Sequence, residues 1–244
     1  MKGTLINIFK HLGLSVGSFN QEKYNDRISY LKNKEIFEKY KDYTMIPNIF
    51  YIDNLELSSL VKNIEGDVVE CGVWRGGMVA GIAEILGKER TYRLFDSFEG
   101  LPEAKEIDGK SAVNWQKNKE GRFYYDNCAA EEKYAREAMN LSGASKIEIV
   151  KGWFNETVFK NSVQKIALLR LDGDWYESTM TCLEAFYPKI VTNGVIIIDD
   201  YYQWDGCSRA VHDYLSKNGI TDRIYQSKQG VAYIIKNKLI REPI

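Results

Sequence analysis

Residues 67–77 read DVVECGVWRGG, and this stretch decides the fold. An apolar run ends in glycines and leads into a helix candidate near residues 77–87. The pattern predicts a strand, a tight glycine turn and a helix. Glycine lets a backbone approach a ligand closely, and the first turn of a helix presents unpaired N–H groups. We therefore expect a ligand site at the end of this strand.

Outward from this unit, short apolar runs alternate with helical stretches. The further strand candidates are TYRLFD (91–96), KIEIV (146–150), KIALLRLD (165–172), GVIIID (194–199), DRIYQ (222–226) and VAYIIK (231–236). The helix candidates between them lie near 129–141, 176–187 and 207–218. Continuous apolar strands indicate burial on both faces, which is typical of a parallel sheet with helices on both sides. Gly230 between the last two runs predicts a closing hairpin, and hence an antiparallel strand at the end of the sheet.

The N-terminal region is predicted to be helical. Residues 21–41 carry apolar side chains at helical spacing. A second helix is expected over 53–63, with Asp53 or Asn54 as its N-cap. Residues 1–20 are expected to form an arm that packs on the body of the protein or on a second subunit.

Two regions of the chain are expected to differ in role. Residues 1–52 are interpreted as an N-terminal helical arm or lid region, and residues 53–244 as the main α/β domain. Within that domain, the polar stretch 102–127 is long for a simple connection. Such loops are usually functional lids or disordered segments, so we interpret this one as a candidate lid.

Composition excludes several classes of protein. The chain has 244 residues, 44% of them hydrophobic, and a net charge of −1. That charge argues against a general nucleic-acid binder, which usually carries a basic excess. No apolar run approaches the roughly 20 residues of a membrane helix. Four cysteines without a CxxC pair and only two histidines argue against a zinc site, and this cysteine usage favours a reducing, cytoplasmic location.

Two acids at the ends of the first two strands point to a particular cofactor. Glu70 lies two residues before Gly72, where its charge would repel a pyrophosphate. Asp96 ends the next strand, where a carboxylate can accept hydrogen bonds from ribose hydroxyls. A cofactor with a ribose, cationic groups and no phosphate fits both acids. S-adenosylmethionine meets these requirements.

Further acids end two later strands. The segment Arg170-Leu171-Asp172-Gly173-Asp174 follows one strongly apolar run, and Asp199-Asp200 follows another. The carboxyl ends of strands in an open parallel sheet form the edge where ligands bind. Carboxylates that converge there repel one another unless a cation joins them. An oxygen-only ligand set favours a hard ion, Mg²⁺ or Ca²⁺.

Five ordered motifs resemble the macrocin O-methyltransferase (TylF-type) family. They are VVECGVWRGG (68–77), LFDSFEGLPE (94–103), KGWFNETV (151–158), LLRLDGDWYEST (168–179) and IIIDDYYQWDGCSRAV (196–211). The resemblance implies a Rossmann-like class I methyltransferase fold, with a seven-stranded, mostly parallel sheet. It also implies an S-adenosylmethionine- and Mg²⁺-dependent enzyme that methylates a sugar hydroxyl. The stretch 104–127 matches no pattern of the family that we can place.

The resemblance also assigns roles to individual residues. It implies Asp172, Asp199 and Asp200 as metal ligands and Asp174 as the general base. It implies that the cofactor site is formed by Glu70, Gly72, Val73, Gly76, Asp96, Ser97, Phe98 and Asp172. The expected partner is a small-molecule carbohydrate acceptor, and we expect a homo-oligomer, a dimer or higher.

Two alternative functions stay open at the level of sequence. A catechol-type small-phenol O-methyltransferase would share the metal and cofactor sites and differ in the acceptor pocket. A non-catalytic module that binds S-adenosylmethionine would keep the fold without turnover, although the four aspartates argue against it. The acceptor itself cannot be named from the sequence, because acceptor pockets are grafted on a common scaffold.

Overall fold

A computed structural model describes residues 21–122 and 124–237. The predicted arm over residues 1–20 lies outside the described residues. The elements that follow are named β1–β7 and α1–α8 in chain order. In the described part of the chain, no helix is long and apolar enough to cross a membrane.

A seven-stranded sheet forms the centre of the protein, with the strand order β3-β2-β1-β4-β5-β7-β6. The strands are β1 Asp67–Cys71, β2 Thr91–Asp96, β3 Lys146–Lys151, β4 Ile166–Leu171, β5 Ile190–Ile198, β6 Ile224–Gln226 and β7 Ala232–Ile235. The first five strands run parallel. Strand β7 is antiparallel to both β5 and β6. The predicted mostly parallel sheet and its closing hairpin are confirmed.

Helices cover both faces of the sheet and divide the core in two. They are α1 Gln21–Tyr40, α2 Asn48–Ser59, α3 Gly77–Leu86, α4 Lys110–Lys117, α5 Glu132–Ser142, α6 Phe154–Thr157, α7 Tyr176–Phe186 and α8 Asp205–Lys217. One core joins the sheet to α1, α2, α3 and α5. The other joins its opposite face to α4, α7 and α8. Alternate residues of a strand point to opposite faces, which explains why Val68 lies in one core and Val69 in the other.

Helix α2 begins earlier than the sequence predicts. It starts at Asn48, directly after Pro47, so the expected N-cap at Asp53 or Asn54 is wrong. Both residues instead lie inside the helix and are buried. Their polar atoms reach other elements, because Asp53 accepts from Ser227 and Asn54 accepts from Arg170. The predicted domain boundary at residue 52 falls within this helix, and the division into two regions stays a prediction.

The stretch 102–127 folds into short helices that are tied to the body of the protein. Asp108 is buried, and its carboxylate accepts hydrogen bonds from the backbone of Lys105 and from the backbone of Tyr176 at the start of α7, both at 2.7 Å. Trp175 donates its indole N–H to the Pro102 carbonyl at 2.9 Å. The candidate lid is thus attached at its base to α7.

The end of this stretch adopts an uncommon backbone conformation. Residues Tyr125–Cys128 all have positive φ angles, between 44° and 61°. Left-handed helical residues other than glycine cost about 1–2 kcal/mol each, so surrounding contacts must hold them. Asn127 supplies such contacts: its side chain donates to the Leu101 carbonyl at 2.8 Å and accepts from Gln116 at 2.9 Å.

Candidate active site

The strand order reverses between β1 and β4, and a large cavity opens at the carboxyl ends of the strands there. In open α/β sheets this switch point is where ligands bind. The cavity has a volume of about 1300 Å³. Its walls come from the loops after β1, β2, β3, β4 and β5, from the 102–127 stretch, from the start of α2 and from the β6–β7 turn.

The part of the cavity at the ends of β1 and β2, which we call the cofactor half, is organised by Asp96. Its Oδ2 accepts hydrogen bonds from the backbone N–H groups of Val73 and Trp74 at 2.6 and 2.9 Å. Its Oδ1 accepts from the backbone N–H of Phe98 at 2.6 Å. Burial raises the pKa of Asp96, and these three donors oppose that rise. The carboxylate therefore holds the two loops in fixed positions.

Close backbone approach explains the glycine turn of the cofactor half. Gly72 has a φ of 85°, and a Cβ atom there would lie 1.7 Å from the carbonyl oxygen of Asp172. Only glycine fits, and the ends of β1 and β4 can meet because of it. Trp74 and Phe98 also adopt left-handed conformations, with φ of 48° and 55°. Such strained residues cluster at functional sites.

The structure separates the predicted cofactor residues into two groups. Gly72, Asp96, Ser97 and Asp172 line the cavity. The others, Glu70, Val73, Gly76 and Phe98, are not among the lining residues in the described part of the chain. Val73 and Phe98 act through their backbone N–H groups on Asp96. The role of all eight in cofactor binding stays a prediction.

The part of the cavity at the ends of β4 and β5, which we call the acid half, contains four aspartates. One oxygen of each is engaged by a protein donor or cation. Arg170 Nη1 donates to Asp172 Oδ2 at 2.7 Å, and Arg170 Nη2 forms an ion pair with Asp199 Oδ1 at 2.5 Å. Trp204 Nε1 donates to Asp174 Oδ1 at 2.9 Å, and the Asp174 backbone N–H donates to Asp200 Oδ2 at 3.0 Å.

Three of these acids converge on one point. Oxygen atoms of Asp172, Asp174 and Asp200 all lie within 4.8 Å of one another. Burial raises the pKa of Asp172 to about 6 and that of Asp174 to about 8, and neighbouring carboxylates add to both rises. Burial and the same neighbours raise the pKa of Asp200. The acid half holds more negative charge than its donors neutralise, which favours a bound cation.

Asp199 lies apart from this three-residue cluster. Its carboxylate faces Arg170, while the predicted ligands Asp172 and Asp200 face Asp174. The structure thus brings together two of the three predicted metal ligands and the predicted base. The ligand set Asp172, Asp199 and Asp200 stays a prediction.

Glu70 pairs with an arginine beneath the cavity. Arg170 Nη1 donates to Glu70 Oε1 at 2.9 Å, and both side chains are only 1% exposed. The two residues are register partners on the adjacent strands β1 and β4. Burial raises the pKa of Glu70 to about 8, and the charge of Arg170 opposes the rise. Glu70 Oε2 is buried without a hydrogen bond to any described residue.

A group of tryptophans forms the wall beside Asp174. Trp115 of α4, Trp175 before α7 and Trp204 before α8 pack edge to face, with ring centroids 5.3–6.2 Å apart. Trp115 and Trp204 line the cavity. The 102–127 stretch therefore contributes an aromatic surface to the site through Trp115, although residues 104–127 match no family pattern that we can place.

Arg170 and Asn54 are the site residues that sequence reasoning missed. A signal for Arg170 existed, because a charge inside the apolar run KIALLRLD must find buried partners. Glu70 interrupts the run DVVECGV in the same way. Two opposite charges inside two buried strands predict a pair once the strands are known to be neighbours. Asn54 gave no such signal, since its position follows from the earlier start of α2.

Residues 41–235 match the model of the family described as macrocin-O-methyltransferase (TylF). This chain belongs to that family. The predicted family, its enzyme class and its class I methyltransferase fold are confirmed. Membership of the TylF family implies S-adenosylmethionine as the methyl donor. It does not by itself show a metal.

Proteins named as O-methyltransferases are similar to this chain over two thirds of its length or more. The demethyldecarbamoylnovobiocin O-methyltransferase of Streptomyces niveus is 34% identical over 172 residues, which cover 67% of this chain and 63% of that protein. An 8-demethyl-8-(2,3-dimethoxy-alpha-L-rhamnosyl)-tetracenomycin-C 4'-O-methyltransferase of Streptomyces olivaceus is 35% identical, over 71% of this chain and 68% of that one. The solved structure of the O-methyltransferase NovP is 32% identical, with a TM-score of 0.66, over 80% of this chain and 83% of that one.

Proposed function

We propose that this protein transfers a methyl group from S-adenosylmethionine to a hydroxyl of a sugar or glycosylated small molecule. The metal ligands would be Asp172, Asp199 and Asp200, and Asp174 would accept the proton. The observation that carries the proposal is the meeting of four aspartates with the cofactor half in one cavity. Support for a sugar acceptor comes from the name of the Streptomyces olivaceus relative, which describes a rhamnosyl group.

The residues of the cofactor half fit the expected methyl donor. Asp96 uses its two oxygens for three backbone donors. A carboxylate offers about four lone-pair positions, so one acceptor position is left for a ribose hydroxyl. Gly72 keeps the adjacent backbone free of a side chain. No cationic side chain of the described residues lines the cavity, so a cofactor bearing positive charge meets no repulsion there.

The residues of the acid half fit a hard divalent cation. The donors are carboxylate oxygens alone, which suits Mg²⁺ and excludes the softer metals that prefer sulfur or nitrogen. One oxygen of each aspartate is held by the protein, which leaves the other for an ion. When bound, the methyl donor supplies its activated methyl group, and Mg²⁺ supplies positive charge that lowers the pKa of a neighbouring hydroxyl.

Asp174 has the surroundings of a general base. Its raised pKa of about 8 makes it a stronger base than an exposed aspartate. Trp204 fixes its Oδ1, so Oδ2 is the atom that would receive the hydroxyl proton. Its backbone has a left-handed φ of 58°, a costly conformation that the hydrogen bond from Asp174 N–H to Asp200 helps to hold. The base and the acids are thus kept in one arrangement.

The aromatic wall would exclude water and contact the acceptor. Trp115 and Trp204 line the cavity, and the indole N–H of Trp204 donates to Asp174. Exclusion of water strengthens electrostatic interactions inside a site, and it prevents competing reactions. We propose that the 102–127 stretch performs this role as a tethered cover of the acceptor region.

The proposal is tested by a transfer assay with labelled S-adenosylmethionine. A panel of neutral glycosides, sugar nucleotides and catechols is offered, with Mg²⁺ or with excess chelator, and products are identified by mass spectrometry. We expect a mass gain of one methyl group on a glycoside or sugar, abolished by the chelator. Methylation of catechols alone would favour the small-phenol alternative. Undiminished activity of Asp199→Ala in excess chelator would end the metal proposal.

A further inference from the structure

Arg170 is a buried cation that four other groups surround. It lies in the fully buried strand β4, and its side chain is 1% exposed. Nε donates to Asn54 Oδ1 at 3.1 Å, and Nη1 donates to Glu70 Oε1 at 2.9 Å. The remaining contacts are with Asp172 and Asp199. A buried charge is tolerated only with such compensation.

The partners of Arg170 lie on two sides of its guanidinium group. Asn54 of α2 and Glu70 of β1 hold the guanidinium from inside the core, away from the cavity. Asp172 and Asp199 stand at the strand ends and line the cavity. The planar fork of an arginine is rigid, so fixing one side of it fixes the positions that its other side can engage. The positions of α2 and β1 therefore determine where Arg170 can hold the two acids.

We propose that Arg170 is a positioning residue of the metal site, anchored by Glu70 and Asn54, that holds one oxygen of Asp172 and one oxygen of Asp199 and so leaves the other oxygen of each for the ion. This inference rests on the proposed metal site. Arg170 engages Asp172 through Oδ2 and Asp199 through Oδ1, so Oδ1 of Asp172 and Oδ2 of Asp199 are the atoms left for an ion. Arg170 itself does not contact the ion, the cofactor or the acceptor.

The charges around Arg170 make this arrangement compatible with a nearby ion. An isolated arginine would repel a divalent cation, and its presence among metal ligands would weaken binding. Glu70 accepts a hydrogen bond from the core side of the guanidinium and so fixes it on the side away from the cavity. On the cavity side, one arginine stands against two carboxylates, Asp172 and Asp199, so this group keeps an excess of negative charge. In this interpretation Glu70 serves the metal site through Arg170.

The test compares two substitutions that preserve charge. Arg170→Lys keeps the positive charge but loses the rigid fork. The control, Arg93→Lys, makes the same change in β2 of the same sheet, where Arg93 bridges Asp67 and Glu148 away from the cavity. Mn²⁺ is the probe: its free concentration is followed by electron paramagnetic resonance, and the number of waters on the bound ion by water-proton relaxation. Circular dichroism checks folding.

We expect Arg170→Lys to weaken Mn²⁺ binding about 10- to 100-fold, the range usual for residues that orient metal ligands. The bound ion should carry at least one more exchangeable water, because one carboxylate is no longer held in place. If Arg170 had only a structural role, Arg170→Lys would lower the stability of the protein without changing the number of waters on the bound ion. Arg93→Lys should bind Mn²⁺ as the unaltered protein does.

A second variant keeps the test decisive if Arg170→Lys does not fold. Asn54→Ala removes one hydrogen bond to Arg170 and no charge, and it touches none of the aspartates. We expect a loss of Mn²⁺ affinity of about two- to tenfold, as one hydrogen bond allows. Unchanged Mn²⁺ affinity and hydration in these variants, with normal binding by the unaltered protein, would overturn the inference alone. Absence of Mn²⁺ binding by the unaltered protein would overturn the proposed metal site together with it.

Discussion

The cofactor half and the acid half of the cavity differ in how many hydrogen-bond donors the protein supplies to each buried carboxylate. Asp96 receives three backbone N–H donors of its own. Each aspartate of the acid half has one oxygen engaged, and three of them face one another within 4.8 Å. Hydrogen-bond donors stabilise Asp96 without a ligand, while the aspartates of the acid half have a surplus of negative charge. The protein itself supplies the donors that Asp96 needs, whereas the acid half carries charge that the proposed cation would offset.

The largest expected effect is on catalysis. Asp174→Asn keeps the size of the side chain and the bond from Trp204 but removes the base. We expect the methyl transfer rate to fall about 10²- to 10⁴-fold, the usual contribution of a general base. Affinity for S-adenosylhomocysteine, measured by calorimetry, should stay the same. A fall in cofactor affinity that matches the fall in rate would show that the two halves are not separate.

The second largest expected effect is on cofactor affinity, and it tests whether the cofactor half and the acid half act independently. Asp96→Asn replaces one acceptor oxygen with an amide that opposes the backbone N–H donors. Hydrogen bonds to charged groups contribute about 1.5–3 kcal/mol, so we expect cofactor affinity to fall about ten- to 150-fold. Calorimetry with S-adenosylhomocysteine measures it. Mn²⁺ affinity should not change, and a parallel loss of Mn²⁺ binding would contradict the comparison.

Metal binding should depend on pH, while binding of S-adenosylhomocysteine should change less. An ion needs ionised carboxylates, and the pKa values of about 6 for Asp172 and about 8 for Asp174 mean that protons must leave first. Mg²⁺ affinity should therefore rise between pH 6 and 8, with proton release on binding. Calorimetry in buffers of different ionisation enthalpy measures both. A pH-independent Mg²⁺ affinity would contradict the binding of the ion by Asp172 with Asp174 beside it.

The smallest expected effect is on stability without metal. The pKa values of Asp172 and Asp174 are higher in the folded state than the ordinary value of 3.8. Between pH 4 and 8 the folded protein thus binds more protons than the unfolded chain, and its stability falls as the pH rises. We expect a lower melting temperature at pH 8.5 than at pH 5.5, by about 2–4 °C for each kcal/mol lost. Saturating Mg²⁺ should reduce the difference, and an opposite trend in chelator would contradict the assignment.

The sheet and part of the cofactor half could be predicted from the sequence, because both are marked by short local patterns. Strands β1, β2 and β4 are mostly apolar runs followed by glycine or acid, and both signals are local. The start of α2 was missed because Asp53 and Asn54 look like caps, and only tertiary contacts with Ser227 and Arg170 show otherwise.

The acid half could be predicted as a group of residues but not as a geometry. The spacing of Asp172, Asp174, Asp199 and Asp200 placed them at one sheet edge. Which oxygen each would present depends on Arg170 and Trp204, and their side-chain directions follow from packing between distant elements. The same limit applies to Trp115, which reaches the cavity only because the 102–127 stretch is anchored through Asp108.

Crystals grown with Mn²⁺ and S-adenosylhomocysteine test the central claim most directly. The claim is that the acid half holds a divalent cation beside the methyl donor. An anomalous difference map should show one strong peak bordered by Asp172, Asp199 and Asp200, with Asp174 Oδ2 facing the open side and the cofactor ribose on Asp96. A map without a peak there, with the aspartates bound only to Arg170, Trp204 and one another, would contradict it.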